Sequence, residues 1–131
     1  MSKQVNVFKD KGLVEIIYAG EVTSADLAED RKVGEKVCSE AGMEKVLVDC
    51  LELRIPLSII PLFDHGICLA RSPVLGRIKH ALIVPEAIVE DAHFFETVLC
   101  NRGVKMRYFT TRSEALAWLN ASPNKPIQSD N

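Results

Sequence analysis

The apolar run from Val46 to Val48, followed by Asp49, constrains the fold of this chain more than any other feature. Because the run has no polar alternation, it is typical of a parallel strand that is buried on both faces. Asp49 then lies at the carboxyl end of the strand, where open α/β sheets usually place their ligands. We interpret this lone acid as a cap of the next turn or a partner of a nearby base, with a catalytic role as the alternative.

The remaining elements alternate around this strand. The β-rich runs 5–8 and 13–19 flank a turn cluster and predict an antiparallel hairpin. Helices are predicted at about 23–41, 58–70, 86–101 and 111–119, and further strands at 78–84 and 104–109. This order predicts an α/β fold: a mixed, mainly parallel sheet of about five strands with an N-terminal hairpin, and four helices joined by right-handed crossovers.

Two of the predicted helices begin with a capping-box motif. Thr23 to Asp26 forms a variant capping box, and Thr111 to Glu114 forms a full one. On the first of these helices, the predicted buried face carries Val33, Val37 and Ala41. The predicted charged surface carries Glu29, Asp30, Arg31, Lys32, Glu35 and Lys36.

Length and composition indicate one domain over residues 1–121, followed by a polar, proline-containing tail at 122–131 that we expect to be disordered. A net charge of -2 and an aromatic content of 6% disfavour nucleic acid as a partner. The N-terminus has no apolar signal core, and no apolar run approaches the roughly 20 residues of a membrane span. We therefore expect a cytoplasmic protein with no transmembrane segment.

The residues that usually carry chemistry are scattered. The seven glycines form no phosphate-binding loop, and His65, His80 and His93 lie in separate elements, so neither a cofactor nor a metal site is predicted. Each histidine is interpreted as a surface or capping residue. The four cysteines are widely spaced and lie in apolar patterns, which favours buried free thiols and a packing role for Cys50. No catalytic residue is assigned.

Three segments resemble one superfamily. They are Gly20 to Asp26 after the hairpin, Val46 to Asp49, and Arg107 to Leu119 at the end of the domain. In this pattern the chain resembles the STAS superfamily, in its soluble bacterial SpoIIAA-like branch. The resemblance implies a right-handed βα superhelix and a non-enzymatic, regulatory or binding role.

The connection after Asp49 is unusually apolar and is the predicted ligand or partner surface. The branch is similar in outline to CRAL-TRIO lipid-transfer domains, so the segment could line a pocket for an apolar or lipid-like ligand, contact a protein partner or a second copy in a homodimer, or belong to the core. Besides Asp49 and Ser58, the residues of this surface are Leu53, Ile55, Leu57, Ile59, Ile60, Leu62 and Phe63.

Ser58 falls where the anti-sigma antagonists of the superfamily carry a serine that a partner kinase phosphorylates. The resemblance therefore makes Ser58 a candidate phosphorylation site, although the acidic and glycine neighbours of that motif are missing here. As a helix cap, Ser58 needs no regulatory explanation.

A small cytosolic enzyme is the alternative function. It would use Asp49 with a histidine such as His80 across a cleft at the carboxyl ends of the strands. The two functions differ in one geometric requirement, since the enzyme needs the carboxylate and the imidazole side by side.

Overall fold

Five strands and four α-helices make up residues 2–55 and 59–121, the part of the chain that the computed structural model describes. The strands are β1 (Ser2–Phe8), β2 (Leu13–Glu21), β3 (Lys45–Ile55), β4 (Lys79–Ile83) and β5 (Met106–Phe109). The helices are α1 (Ser24–Ala41), α2 (Ile59–Arg71), α3 (Val89–Cys100) and α4 (Arg112–Leu119). The predicted tail at 122–131 lies outside the described residues.

The strands form one sheet in the order β1-β2-β3-β4-β5. β1 pairs antiparallel with β2, and every other neighbouring pair is parallel. Gly12 closes the hairpin turn at φ +63°, a left-handed conformation that glycine adopts without steric cost. The predicted hairpin, the mainly parallel sheet and the four helices are thus confirmed.

β3 is longer than the sequence predicted. Residues 50–55, which we interpreted as part of a connection, continue the strand and pair with the end of β2, where Glu21 lies opposite Ile55. A register shift between Ile17 and Ala19 precedes this extension. The described part of β4 pairs with β3 only as far as Asp49, so the extension has a strand partner on one side alone.

The helices divide between the two faces of the sheet. Helices α1, α2 and α3 cover one face, where Val14, Val46 and Met106 contribute to the larger core cluster. On the other face α4 packs through Ala115 and Leu119 onto the fully buried residues Leu47, Ala81 and Ile83. Truncating one of the large side chains in such a core typically costs about 2–5 kcal/mol.

Capping contacts fix the starts of α1 and α4. Thr23 accepts a hydrogen bond from the backbone N–H of Asp26 at 3.1 Å, and the carboxylate of Asp26 accepts one from the N–H of Thr23 at 2.9 Å. This reciprocal pair is the predicted capping box. At α4, Thr111 accepts from the N–H of Glu114 at 3.4 Å, but its hydroxyl, and not its backbone N–H, donates to the Glu114 carboxylate.

Helix α2 places Pro61 in its first turn, as the sequence predicted, where the missing backbone donor costs little. The predicted cap, Ser58, lies outside the described residues. Within residues 2–55 and 59–121, no helix combines the length and apolar character that crossing a membrane requires.

Candidate functional site

A cavity of about 180 Å³ lies between the sheet and helices α1, α2 and α3. Alternate residues of the central strands point into it, among them Ile16, Val48 and Leu82, because side chains along a strand alternate between the two faces. The helices contribute Leu62 and Phe95 from the opposite side. The wall is therefore mostly apolar, with a few polar side chains at defined positions.

One polar group of the wall is centred on Asp30 of α1, which is 9% exposed. Its carboxylate accepts a hydrogen bond from the hydroxyl of Tyr18 and forms an ion pair with Lys3. Burial, together with the neighbouring Asp30 carboxylate, raises the pKa of Tyr18 well above its usual range. Tyr18 is therefore a neutral donor at physiological pH, and the contact connects β2 to α1.

A second polar group joins α1 to α2. The guanidinium of Arg31 donates to Nδ1 of His65, whose ring stacks on Phe95 with 5.6 Å between ring centroids and an interplanar angle of 3°. Burial lowers the pKa of His65 to about 4, and the adjacent Arg31 charge acts in the same direction. His65 is thus neutral at pH 7, which leaves Nδ1 able to accept the hydrogen bond from Arg31.

His80 of β4 is a further polar side chain of the wall, separate from these two groups, and is 7% exposed. Its Nε2 donates to the backbone carbonyl of Leu75 at 2.6 Å. Burial lowers the pKa of His80, although the hydrogen bond to Leu75 opposes that shift. The imidazole therefore satisfies a buried carbonyl, which is a structural task.

The ionisation states in the cavity do not favour nucleophilic chemistry. Cys50 is buried on the same face, and burial raises the pKa of its thiol to about 12. The thiolate, which is the reactive form, is therefore scarce at neutral pH. Tyr18, Cys50, His65 and His80 are all uncharged at neutral pH.

The structure places the predicted site residues in different environments. Leu53 and Leu62 line the cavity. Phe63 is 38% exposed and lies near Phe94, with the guanidinium of Arg102 at 5.4 Å from its ring centroid.

Five further predicted residues belong to the apolar segment. Leu57 and Ser58 lie outside the described residues. The backbones of Ile55, Ile59 and Ile60 belong to β3 and α2, but their side chains also lie outside the description.

Asp49 lies on the face of the sheet covered by α4, away from the cavity. Its carboxylate accepts a hydrogen bond from the backbone N–H of Leu51 at 3.0 Å and another from Arg112 at 3.4 Å. Arg112 also pairs with the buried carboxylate of Glu15, which accepts a hydrogen bond from Asn6 at 2.8 Å. Asp49 therefore pairs with a nearby base, as the first interpretation held, but its backbone contact is to β3 itself and not to a turn.

Asp49 and His80 do not form the pair that the alternative enzyme needs. Along the β3–β4 register His80 lies opposite Val46, and Asp49 lies opposite Ile83. Ile83 packs against α4, whereas His80 faces the cavity, so the carboxylate and the imidazole point to opposite faces. The sheet itself separates the two side chains.

Several sequence predictions about this region were wrong. Asp30 and Arg31 were assigned to the solvated face of α1, and His65 and His80 to surface or capping positions, yet all four line the cavity. The inward stripe of α1 also contains Leu27, Gly34 and Cys38. Of the predicted buried face, Val33 is 39% exposed, whereas Val37 and Ala41 pack against the core as predicted. The sequence did carry a signal for this buried face: the spacing 27-30-31-34-38 follows the helical repeat more closely than 33-37-41.

The cysteines also differ from the prediction of four buried thiols. All four are free, but Cys68 and Cys100 are exposed, and only Cys38 and Cys50 are buried. Over the described ranges 2–55 and 59–121, no cluster of three or more His, Cys, Asp or Glu side chains is arranged to hold a metal ion.

No family model matches the chain, and no curated protein matches it significantly. A solved structure does match: an uncharacterised protein of the DUF3478 family with a SpoIIAA-like fold, from Shewanella loihica PV-4. The match has a TM-score of 0.59 at 18% sequence identity and covers 90% of this chain and 92% of that one. The chain therefore has the SpoIIAA-like α/β fold that its sequence pattern predicted.

Proposed function

We propose that this protein is a non-catalytic binding module that takes a small apolar molecule into the cavity between its sheet and helices α1 to α3. The observation that carries the proposal is the cavity itself, of about 180 Å³ and walled mainly by aliphatic and aromatic side chains. Small-molecule sites typically combine such a wall with a few placed polar groups. Here those groups are Tyr18, Asp30, Arg31, His65, His80 and Asp91.

The volume sets the size of the molecule. An engineered protein cavity of about 150 Å³ lined by Leu, Ile and Phe binds benzene. A cavity of about 180 Å³ is suited to a compound with one ring or a short branched chain.

The separation of Asp49 from His80 and the neutral state of Cys50 support a binding role over the alternative enzyme. The SpoIIAA-like fold also supports it, because the resemblance implies partner or ligand binding. A regulatory role would follow if an occupied cavity changed the surface that a partner contacts.

Toluene is a suitable first probe. Methyl resonances of Val48, Leu62 and Leu82 should shift on titration, whereas those of Leu47 on the opposite face should not. At 100 times Kd, binding should stabilise the fold by about 2.7 kcal/mol and raise Tm by about 10 °C. Equal shifts on both faces of the sheet, or no shifts, would overturn the proposal.

Two variants that fill the cavity make the test specific. Val48→Phe and Leu62→Phe should abolish the toluene-induced rise in Tm, because each adds volume inside the wall. Leu51→Phe is the matched control, since Leu51 lies on the same strand and is 40% exposed. If both filled variants fold and still bind toluene with the affinity of the natural chain, the site lies elsewhere.

Binding of a protein partner or a second copy is the second candidate. It is favoured by Leu51 and Phe63, large apolar side chains of the segment after Asp49 that are 40% and 38% exposed. Size-exclusion chromatography with light scattering tests self-association, and the double variant Leu51→Ser, Phe63→Ser should reduce it. A chain that is monomeric at every concentration would contradict a homodimer.

Phosphorylation of Ser58 stays a prediction.

A further inference from the structure

Arg31 occupies an unusual position for an arginine. It lies on the inward stripe of α1, between Leu27 and Gly34, in the wall of the cavity. Its side-chain hydrogen bond goes to the neutral ring of His65. Among residues 2–55 and 59–121, no carboxylate lies within 4.0 Å of its guanidinium.

An arginine in a mostly apolar wall is well suited to bind an anionic group of a ligand. The guanidinium stays charged at all physiological pH values and carries five N–H donors in a planar fork that matches a carboxylate. Arg31 is half-buried, and placing its charge beside apolar side chains is unfavourable where it is not solvated, paired or hydrogen bonded. His65 accepts one hydrogen bond but supplies no negative charge, so donors remain for an incoming acid.

The other charged side chains of the wall have stabilising neighbours. Asp30 is paired with Lys3 and hydrogen bonded by Tyr18. Asp91 lies in the first turn of α3, where the backbone N–H groups of the helix favour a negative charge. Arg31 is therefore the group of this wall whose charge a ligand would match best.

We propose that Arg31 binds the carboxylate of a small apolar acid whose hydrocarbon body occupies the cavity. This inference rests on the proposed function and adds the chemical class of the ligand. The carboxylate would accept hydrogen bonds from the guanidinium donors that His65 does not use. His65 acts as a positioning residue, since its stack on Phe95 fixes the ring to which Arg31 is bonded.

Three ring compounds of nearly equal size test the charge preference. Benzoate, benzamide and benzamidine are anionic, neutral and cationic at pH 7, and toluene reports on the apolar cavity without a polar group. The natural chain should bind benzoate at least about tenfold more tightly than benzamide, and benzamidine most weakly of the three. Benzoate should also shift the ring resonances of His65 more than toluene does, because its carboxylate contacts the neighbouring guanidinium.

Variants of Arg31 identify the group responsible. Arg31→Gln should remove the preference for benzoate over benzamide, and Arg31→Lys should keep part of it because the charge remains but the fork does not. Lys32→Gln is the matched control, an exposed neighbour on α1 that should leave the preference unchanged. Should Arg31→Gln not fold, the lysine variant and the three-ligand series still decide the matter.

The outcomes separate this inference from the function on which it rests. Toluene binding with no preference for benzoate, or with a preference for benzamidine through Asp91, overturns the carboxylate proposal and leaves the apolar cavity standing. A preference for benzoate that persists in Arg31→Gln also overturns it. If none of the four compounds binds, both the proposed function and this inference are wrong.

Discussion

The hydroxyl of Tyr18 donates a hydrogen bond to the carboxylate of Asp30, and this contact joins strand β2 to helix α1 in the wall of the cavity. Both side chains are buried, and Lys3 of the edge strand supplies the opposite charge. The three residues come from β1, β2 and α1. The contact therefore fixes the position of the helix that also carries Arg31.

Replacing Tyr18 by phenylalanine should destabilise the protein by about 1.5–3 kcal/mol, the usual range for a hydrogen bond to a charged group. Because the ring remains, the loss of stability reports the missing hydroxyl and its hydrogen bond to the Asp30 carboxylate. Urea unfolding at pH 7 gives the free energy. Tyr108→Phe is the control, because no hydrogen bond of its hydroxyl is found among the described residues, and a loss equal to that of Tyr18→Phe would contradict the assignment.

Stability should fall as the pH is lowered, in part because of His65. Its pKa is about 4 in the folded protein and about 6.5 in the unfolded chain, so the unfolded chain binds a proton first. The contribution is complete above pH 6.5 and is lost as the pH falls toward 4. Between pH 8 and pH 5, protonation of His65 should lower the free energy of unfolding by about 2 kcal/mol.

His65→Gln isolates that share. Glutamine retains an acceptor for Arg31 but does not titrate, so the variant should lose about 2 kcal/mol less than the natural chain between pH 8 and pH 5. Urea midpoints at several pH values give the comparison. His80, whose pKa is also lowered, is present in both chains and cancels in the difference. Parallel pH profiles for the two chains would show that His65 is not responsible.

The order of elements was predictable from the sequence because it rests on local signals. The apolar run before Asp49 marked a buried strand, and Thr23 with Asp26 marked the start of α1, since both signals depend on neighbours a few residues away. The extension of β3 to Ile55 was not predicted. That strand depends on pairing with Glu21 and its neighbours, more than 30 residues away, which no local pattern reports.

The site was less predictable than the fold. Leu53 and Leu62 belong to the predicted ligand or partner surface and line the cavity, whereas Phe63 of the same apolar segment is 38% exposed. Asp30 and Arg31 look like ordinary surface charges in a helix, yet Asp30 is buried and Arg31 is half-buried, and their contacts are to Tyr18, Lys3 and His65. These partners come from three other elements, so tertiary contacts decide the separate roles of Asp30 and Arg31.

Arg112 should matter more for stability than Asp49. Removing it with Arg112→Gln leaves the buried carboxylate of Glu15 with Asn6 as its hydrogen-bond donor, and we expect a loss of about 2 kcal/mol. Asp49→Asn should cost less than about 1 kcal/mol, because its partner Arg112 is 45% exposed at the side chain. Chemical unfolding of both variants and of the double variant gives the coupling. A larger loss for Asp49→Asn than for Arg112→Gln would reverse this ranking.

The four thiols should divide into two reactive and two protected groups. Cys68 and Cys100 are exposed, whereas Cys38 and Cys50 are buried and burial raises the pKa of both. For Cys50 a rise from 9.0 to about 12 lowers the thiolate fraction at pH 8 by about 1,000-fold. Ellman's reagent should therefore modify two thiols of the native protein rapidly, and the other two only after unfolding in urea. Cys68→Ser and Cys100→Ser should each remove one rapid equivalent, and rapid modification of Cys50 in the folded protein would contradict its position in the cavity wall.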